Sequence, residues 1–258
     1  VTGTIKSDGF LFYSDNYGTA SSWHGGALKQ SIGASIQDFE LEVNLQQYAF
    51  NLVYLGLAEV SVLDASNKVV AKVSMRKVYQ GLEVNYGLAR AGSMLDGKDI
   101  IDSYGSVPSA WNNFKGVLKI SRIGNQWEAY ISKVDQTTGK HDTAMYRTWI
   151  DNSNTLRAPI TQVQTYLATY ALASPTLQNM DSIRVYRINN PNSNQIPYIA
   201  SPGDIITFDH KNDVILKNGE AITKEKSFTG EYFPLNPGQN AIVIEPESAI
   251  DKSVIRWR

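Results

Sequence analysis

Apolar and polar residues alternate with a period of two along much of the chain. In the segment DFELEVNL, Phe39, Leu41, Val43 and Leu45 share one face, while Glu40, Glu42 and Asn44 share the other. That is the pattern of a strand with one buried side. The same spacing recurs in EVSVLD (Val60, Val62), VVAKVSM (Val69, Ala71, Val73, Met75), GVLKISRI (Leu118, Ile120) and NQWEAYISKV (Trp127, Ala129, Ile131). It predicts that Trp127 lies in the core, with Glu128 and Tyr130 on the opposite face. Asp64-Ala65-Ser66-Asn67 and Ile123-Gly124-Asn125-Gln126 carry the turn chemistry that joins antiparallel neighbours. No segment keeps a 3.6-residue apolar period between caps, so little helix is expected. Short strands separated by regular turns predict an all-β sandwich or barrel.

Residues 189–203, NNPNSNQIPYIASPG, hold three prolines and four asparagines and read as a linker. They separate a first domain, 1–188, from a small β-domain, 204–258. In the latter, strands are expected at 204–208, 214–216, 232–235, 241–244 and 253–257. Lys217-Asn218-Gly219-Glu220 is a hairpin turn, because Asn and Gly both tolerate positive φ.

Composition narrows the function. Lys and Arg number 24 against 25 Asp and Glu, a net charge of −1, so no long-range field draws the chain to nucleic acid or to an acidic membrane. No stretch reaches the roughly 18 to 20 apolar residues that cross a bilayer, and VTGTIKSDGF lacks the regions of a signal peptide. The chain is expected to be soluble, and its opening on Val1 rather than Met suggests residues cut, cloned or matured out of something longer. With no cysteine, disulfides, thiolate metal sites and cysteine nucleophiles are excluded.

The second unit presents GDIITFDH, ILKNGEAI, EYFPLNPGQNAIVIEP and VIRWR in that order. This ordered set resembles the C-terminal segment of siphophage distal tail proteins, which assemble as a hub at the tail tip. The matching positions are Gly203, Asp204, Asp209, Asn218, Gly219, Phe233, Leu235, Pro237, Gly238 and Asn240. The belt domain through which that family closes into hexamers is not visible in residues 1–60. The first domain is similar to the concanavalin-like jelly rolls that such tail proteins carry as carbohydrate-binding modules. It does so through SDGFLFYSDNYGTASSWHGGALKQSIG, DFELEVNL and WNNFKGVLKISRIGNQWEAYISK. The resemblance implies a concanavalin-like jelly-roll β-sandwich followed by a small β-domain. It implies a virion tail-tip protein, made in the bacterial host cytoplasm, that holds a host cell-wall polysaccharide or other surface glycan. Its further partners would be other tail-tip proteins, with no nucleic acid and no membrane.

Sugar binding needs flat aromatic faces together with amides, carboxylates or hydroxyls. Trp111, Asn112 and Asn113 follow a Pro and Ser loop and offer one stacking face beside two amides. They are expected to be exposed and to bind ligand, the alternative being an ordinary capped loop. Trp23 and His24, before Gly25 and Gly26, form a second set that could shape a pocket rim, or a loop folded over a sandwich edge. Glu128 and Tyr130 form a third, against a solvated strand face.

No catalytic residue, cofactor or metal is expected. Asp8, Asp15, Asp135 and Asp142 lack the spacing of a calcium loop and suit turns. The histidines are His24, His141 and His210, and no Gly-x-Ser-x-Gly elbow exists. Glu40 and Glu42 project from one face roughly 6 to 7 Å apart at Cα, which a retaining glycosidase geometry does not exclude. Solubility alone would also put them there. The alternative reading is therefore a bacterial glycan-binding or polysaccharide-degrading β-sandwich.

Overall fold

The computed structural model describes residues 2–9, 11–189, 204–209, 212, 214–222 and 254. The chain divides into two compact units, Val1–Asn190 and Pro191–Arg258. Among the described residues there is no α-helix.

Among its described residues the first unit contains thirteen strands. These are β1 (Thr2–Ser7), β2 (Phe12–Gly18), β3 (Trp23–Ile36), β4 (Phe39–Tyr48), β5 (Gly56–Leu63), β6 (Val69–Lys77) and β7 (Tyr86–Ala91). They continue with β8 (Lys98–Ser103), β9 (Phe114–Ile123), β10 (Gln126–Val134), β11 (His141–Ile150), β12 (Ile160–Tyr170) and β13 (Leu177–Arg187). A seven-stranded sheet has the order β1-β2-β13-β4-β9-β10-β11 and a six-stranded sheet the order β3-β12-β5-β6-β7-β8. All the strand pairs in both sheets are antiparallel. This is a jelly-roll sandwich: the alternating pattern predicts a sandwich or barrel, and the resemblance of the first domain implies the jelly roll.

Each period-two segment buries the face its pattern selects. Phe39, Leu41, Val43 and Leu45 of β4 are wholly buried and meet Val60, Val62, Ala71, Val73 and Met75 of the other sheet. Across the seven-stranded sheet the register sets Phe39 beside Arg122 and Arg122 beside Trp127. Arg122 is fully buried. Its guanidinium lies 5.1 Å from the Phe39 ring and 5.3 Å from that of Trp127. It donates to the carbonyls of Gln37 and Leu156. Burial pushes its pKa down to about 10, yet three hydrogen bonds to carbonyls and two aromatic faces keep the cation tolerable inside.

Turn chemistry fixes the hairpins. Asn67, at φ 64°, closes β5 to β6, with Asp64 Oδ1 accepting from Ser66 and Lys68 N–H. Gly124, at φ 60°, closes β9 to β10.

In the second unit, β14 (Ile206–Asp209), β15 (Val214–Lys217) and β16 (Glu220–Ala221) form an antiparallel sheet. Asn218 and Gly219 sit at φ 52° and 90° in the turn between the last two, the conformation Asn-Gly favours. Asn218 Nδ2 donates to Asp204 Oδ1 at 2.7 Å, and Asn218 Oδ1 accepts from Ile205 N–H at 2.8 Å. Two residues of the tail-protein pattern thus lock one hairpin. The strands expected at 232–235, 241–244 and 253–257 and most of the 189–203 linker lie outside the described residues.

Candidate functional site

In the first candidate set the structure overturns the expected exposure of Trp111. Trp111 is 0% exposed and belongs to the core. A Cβ placed on Gly87 would fall 2.7 Å from its Cζ3, so the indole rests directly on the β7 backbone. The loop that carries it is tied down by polar contacts. Asn85 Nδ2 donates to Trp111 O at 2.9 Å, Asn112 Oδ1 accepts from Asn85 N–H, and Lys133 Nζ donates to Asn112 O at 3.0 Å. Asn113 is exposed in a left-handed conformation at φ 49°. The Trp-Asn-Asn run is therefore a corner that closes the sandwich end. A hydrophobic residue after a Pro and Ser loop reads the same in sequence whether the loop folds inward or outward.

Trp23 and His24 start β3 instead of lying in a loop. The following glycines give no flexible rim, because they permit close backbone approach. A Cβ on Gly25 would lie 1.9 Å from Leu167 O, and one on Gly26 2.6 Å from Thr4 C. Trp23 packs edge to face on Tyr170, centroids 5.5 Å apart, and His24 Nδ1 lies 2.8 Å from Ser22 O.

Glu128 and Tyr130 lie on the outer face of the seven-stranded sheet, opposite the buried Trp127, Ala129 and Ile131. The register places Glu42, Lys119, Tyr130 and Tyr146 in one row across it. Tyr130 Oη is 2.6 Å from His141 Nδ1. Glu42 takes Lys119 at 3.0 Å and Arg184 at 2.8 Å. Burial by itself would raise its carboxyl, but the two cations outweigh that and hold it below the usual carboxylate range. A glycosidase acid needs the reverse, a raised pKa.

The six-stranded sheet carries a second outer face that sequence reasoning did not single out. Its register aligns Tyr166, Glu59, Ser74, Leu88 and Asp102 in one row, with Leu57, Arg76 and Tyr86 in the next. Alternation turns these residues away from the core formed by Val60, Val73 and Ala89. Ser61, Ser74 and Leu88 are buried on this outward side, so the middle of the face is recessed beneath its longer neighbours. Glu59 pairs with Lys72 at 2.9 Å, Arg76 with Asp102 at 2.5 Å and Arg90 with Asp99 at 2.5 Å. Tyr86 is flanked edge to face by Tyr79 and Tyr104, at 5.9 and 5.8 Å. Among the described residues, the buried Ser74 Oγ and Arg76 Nε make no hydrogen bond. The signal for this face was the alternation in EVSVLD and VVAKVSM read for its polar half.

Asp135 accepts from Thr137 and Thr138 N–H, each at 2.8 Å; it shapes a turn. Among the described residues no three His, Cys, Asp or Glu gather as metal ligands.

The chain has relatives at two levels. The CBM2 module of the Lactobacillus casei BL23 phage J-1 evolved Dit is similar at TM-score 0.61 and 12% identity, over 74% of this chain and 82% of that one. The legume lectin-like domain from Entamoeba histolytica aligns at TM-score 0.45 and 14% identity, over 73% of this chain and 89% of that one. Carbohydrate-binding module CBM66 from Bacillus subtilis aligns at 0.39 and 11%, over 71% and 91%. No curated protein matches. The family model of the siphovirus-type tail component, C-terminal domain, matches residues 168–258, beginning near the end of β12 and taking in all of β13. Residues 168–258 thus carry the likeness to siphovirus-type tail components, and the sandwich before and including β13 has the fold of a phage distal-tail module.

Proposed function

We propose that this protein is a structural component of a phage or prophage tail tip whose first unit holds host cell-surface glycan without hydrolysing it. The observation that carries the reading is the match of residues 168–258 to a tail-component family, in one chain with a jelly-roll sandwich. The glycan face is the outer side of the six-stranded sheet. Tyr166 and Tyr86 supply ring faces there, Glu59 and Arg76 supply a charged acceptor and donor on the two strands between them, and Asp102 follows on β8, paired with Arg76. Sugar recognition combines those two components, and hydrogen bonds fixed by ion pairs give a ligand directional contacts on a surface already organised. Its partners are host cell-wall polysaccharide and other tail-tip proteins, and its place is the virion tail.

The test is binding of the full chain to a panel of bacterial cell-wall polysaccharides, with Tyr86→Ala and Tyr166→Ala compared with wild type. Each variant is expected to weaken binding by about 1 to 3 kcal/mol, the range for an aromatic anchor, with its melting temperature nearly unchanged. Release of reducing sugar from a bound polysaccharide, or full affinity in both variants, would sink the proposal.

A further inference from the structure

Three connections meet at one end of the first unit: residues 49–55, 78–85 and 171–176. They surround a shallow depression of about 540 Å³, lined by Leu55, Val78, Tyr79, Gln80, Tyr170 and Leu172 among others. Its lining includes no charged side chain. The least exposed lining residue, Leu55, is buried, whereas Tyr79 and Tyr170 are 51% and 41% exposed.

Both tyrosines are held in orientation. Tyr170 is braced edge to face by Trp23 and Tyr79 by Tyr86. The backbone around them is tied by buried polar groups. Lys77 is 1% exposed, and its Nζ donates to the carbonyls of Leu52, Tyr54 and Tyr79 at 2.7, 2.9 and 3.0 Å. Thr169 Oγ1 lies 3.2 Å from Leu55 O and 3.0 Å from Ala173 O. Gln80 Nε2 donates to Val53 O at 3.1 Å. Loops that spend a lysine and a threonine on their own carbonyls lose little freedom when a ligand arrives, which favours binding.

We infer that this depression is a subsite for one neutral sugar ring that carries a methyl group, in a 6-deoxy or an acetamido substituent. The two tyrosine faces suit the C–H side of a pyranose, and Leu55 and Val78 suit the methyl. An ionic substituent would lose hydration against an uncharged lining and gain no partner. The inference rests on the reading that the first unit binds glycan, and adds which sugar its end selects.

Saturation-transfer NMR on the full chain tests it, with N-acetylglucosamine, N-acetylgalactosamine and 6-deoxygalactose as probes and glucose and galactose as references. The methyl-bearing sugars are expected to give the strong transfer, greatest at the methyl protons. Tyr79→Ala, Tyr170→Ala and Leu172→Asp should each lower their affinity about tenfold, as loss of a stacking face or intrusion of a charge requires. Tyr79→Phe and Tyr170→Phe should keep it. Leu172 is 95% exposed, so Leu172→Asp remains informative if a tyrosine variant fails to fold. Equal transfer from glucose, transfer unchanged in Leu172→Asp, or none from any probe overturns the inference, as does capture of another tail protein by this depression in its place. Transfer from the methyl sugars without binding to any cell-wall polysaccharide overturns the broader glycan-face reading instead. Polysaccharide binding that depends on Tyr166 while the depression takes no sugar overturns the subsite alone.

Discussion

At the residue scale, one tryptophan separates packing from recognition. Trp111 fills the sandwich end and touches the β7 backbone, so Trp111→Ala should destabilise the unit by about 3 to 5 kcal/mol, as truncation of a buried large aromatic does. Denaturant unfolding measures this, and an unchanged midpoint would contradict the burial. Glu42 makes a different prediction. Its folded pKa is depressed, so the stability from its ion pairs is present above the unfolded carboxylate pKa and is lost as pH falls through the folded one. The gap in urea midpoint between wild type and Glu42→Gln should therefore be widest at neutral pH and narrow as acid takes the solution below the unfolded carboxylate pKa and through the folded one. A gap independent of pH would mean that the pairs with Lys119 and Arg184 contribute nothing. Replacing Glu40 and Glu42 together by Gln should leave glycan binding intact, because both stand on the opposite sheet from the proposed face.

At the scale of elements, Lys77 links the end of β6 to two connections. Lys77→Met keeps the stem but leaves the carbonyls of Leu52, Tyr54 and Tyr79 without that donor. The expected cost is about 2 to 4 kcal/mol, set by unpaired buried acceptors more than by lost attraction. Amide exchange at Gly81, whose N–H donates to Leu52 O at 3.0 Å, should quicken in the variant. Exchange that stays slow would show that the loops hold without the lysine. Much of the element map was legible in advance: β4, β5, β6, β9 and β10 have one face against the core and one against polar surroundings, so their patterns alternate. β7, YGLARA, escapes that reading because Leu88 and Arg90 on its outward side are also buried. A strand recessed on both faces loses its period-two signature.

At the scale of the whole molecule, the tail-family match and the sandwich share a strand. β13 lies between β2 and β4 inside the seven-stranded sheet, yet it falls within the matched residues 168–258. A fragment 1–167 lacks it and should fail to fold, leaving the β4 edge and part of the core in water, whereas 1–190 should melt cooperatively. Calorimetry on the two fragments decides the matter, and a cooperative transition from 1–167 would show that β13 is dispensable. The tail-protein motifs legible in the sequence begin at residue 203, whereas the match begins at 168; residues 168–187 carry no distinctive turn motif that a local reading could use.

Sequence alone determined the fold class, the inward faces of the alternating strands, and the Asn-Gly hairpin of the second unit. Each depends on local periodicity or on the φ preference of one or two residues. It did not determine which aromatics are buried and which are exposed. Trp111 and Trp127 are both buried, one from a loop and one from a strand, and only the closure of the two sheets decided the loop's direction. Likewise Tyr86, Tyr166, Arg76 and Glu59 are far apart in the chain and become one face through strand order. Tyr79 and Tyr170 become two sides of one depression because β6 and β12 end at the same edge of the sandwich. Such neighbourhoods are set by non-local pairing, which no local pattern encodes.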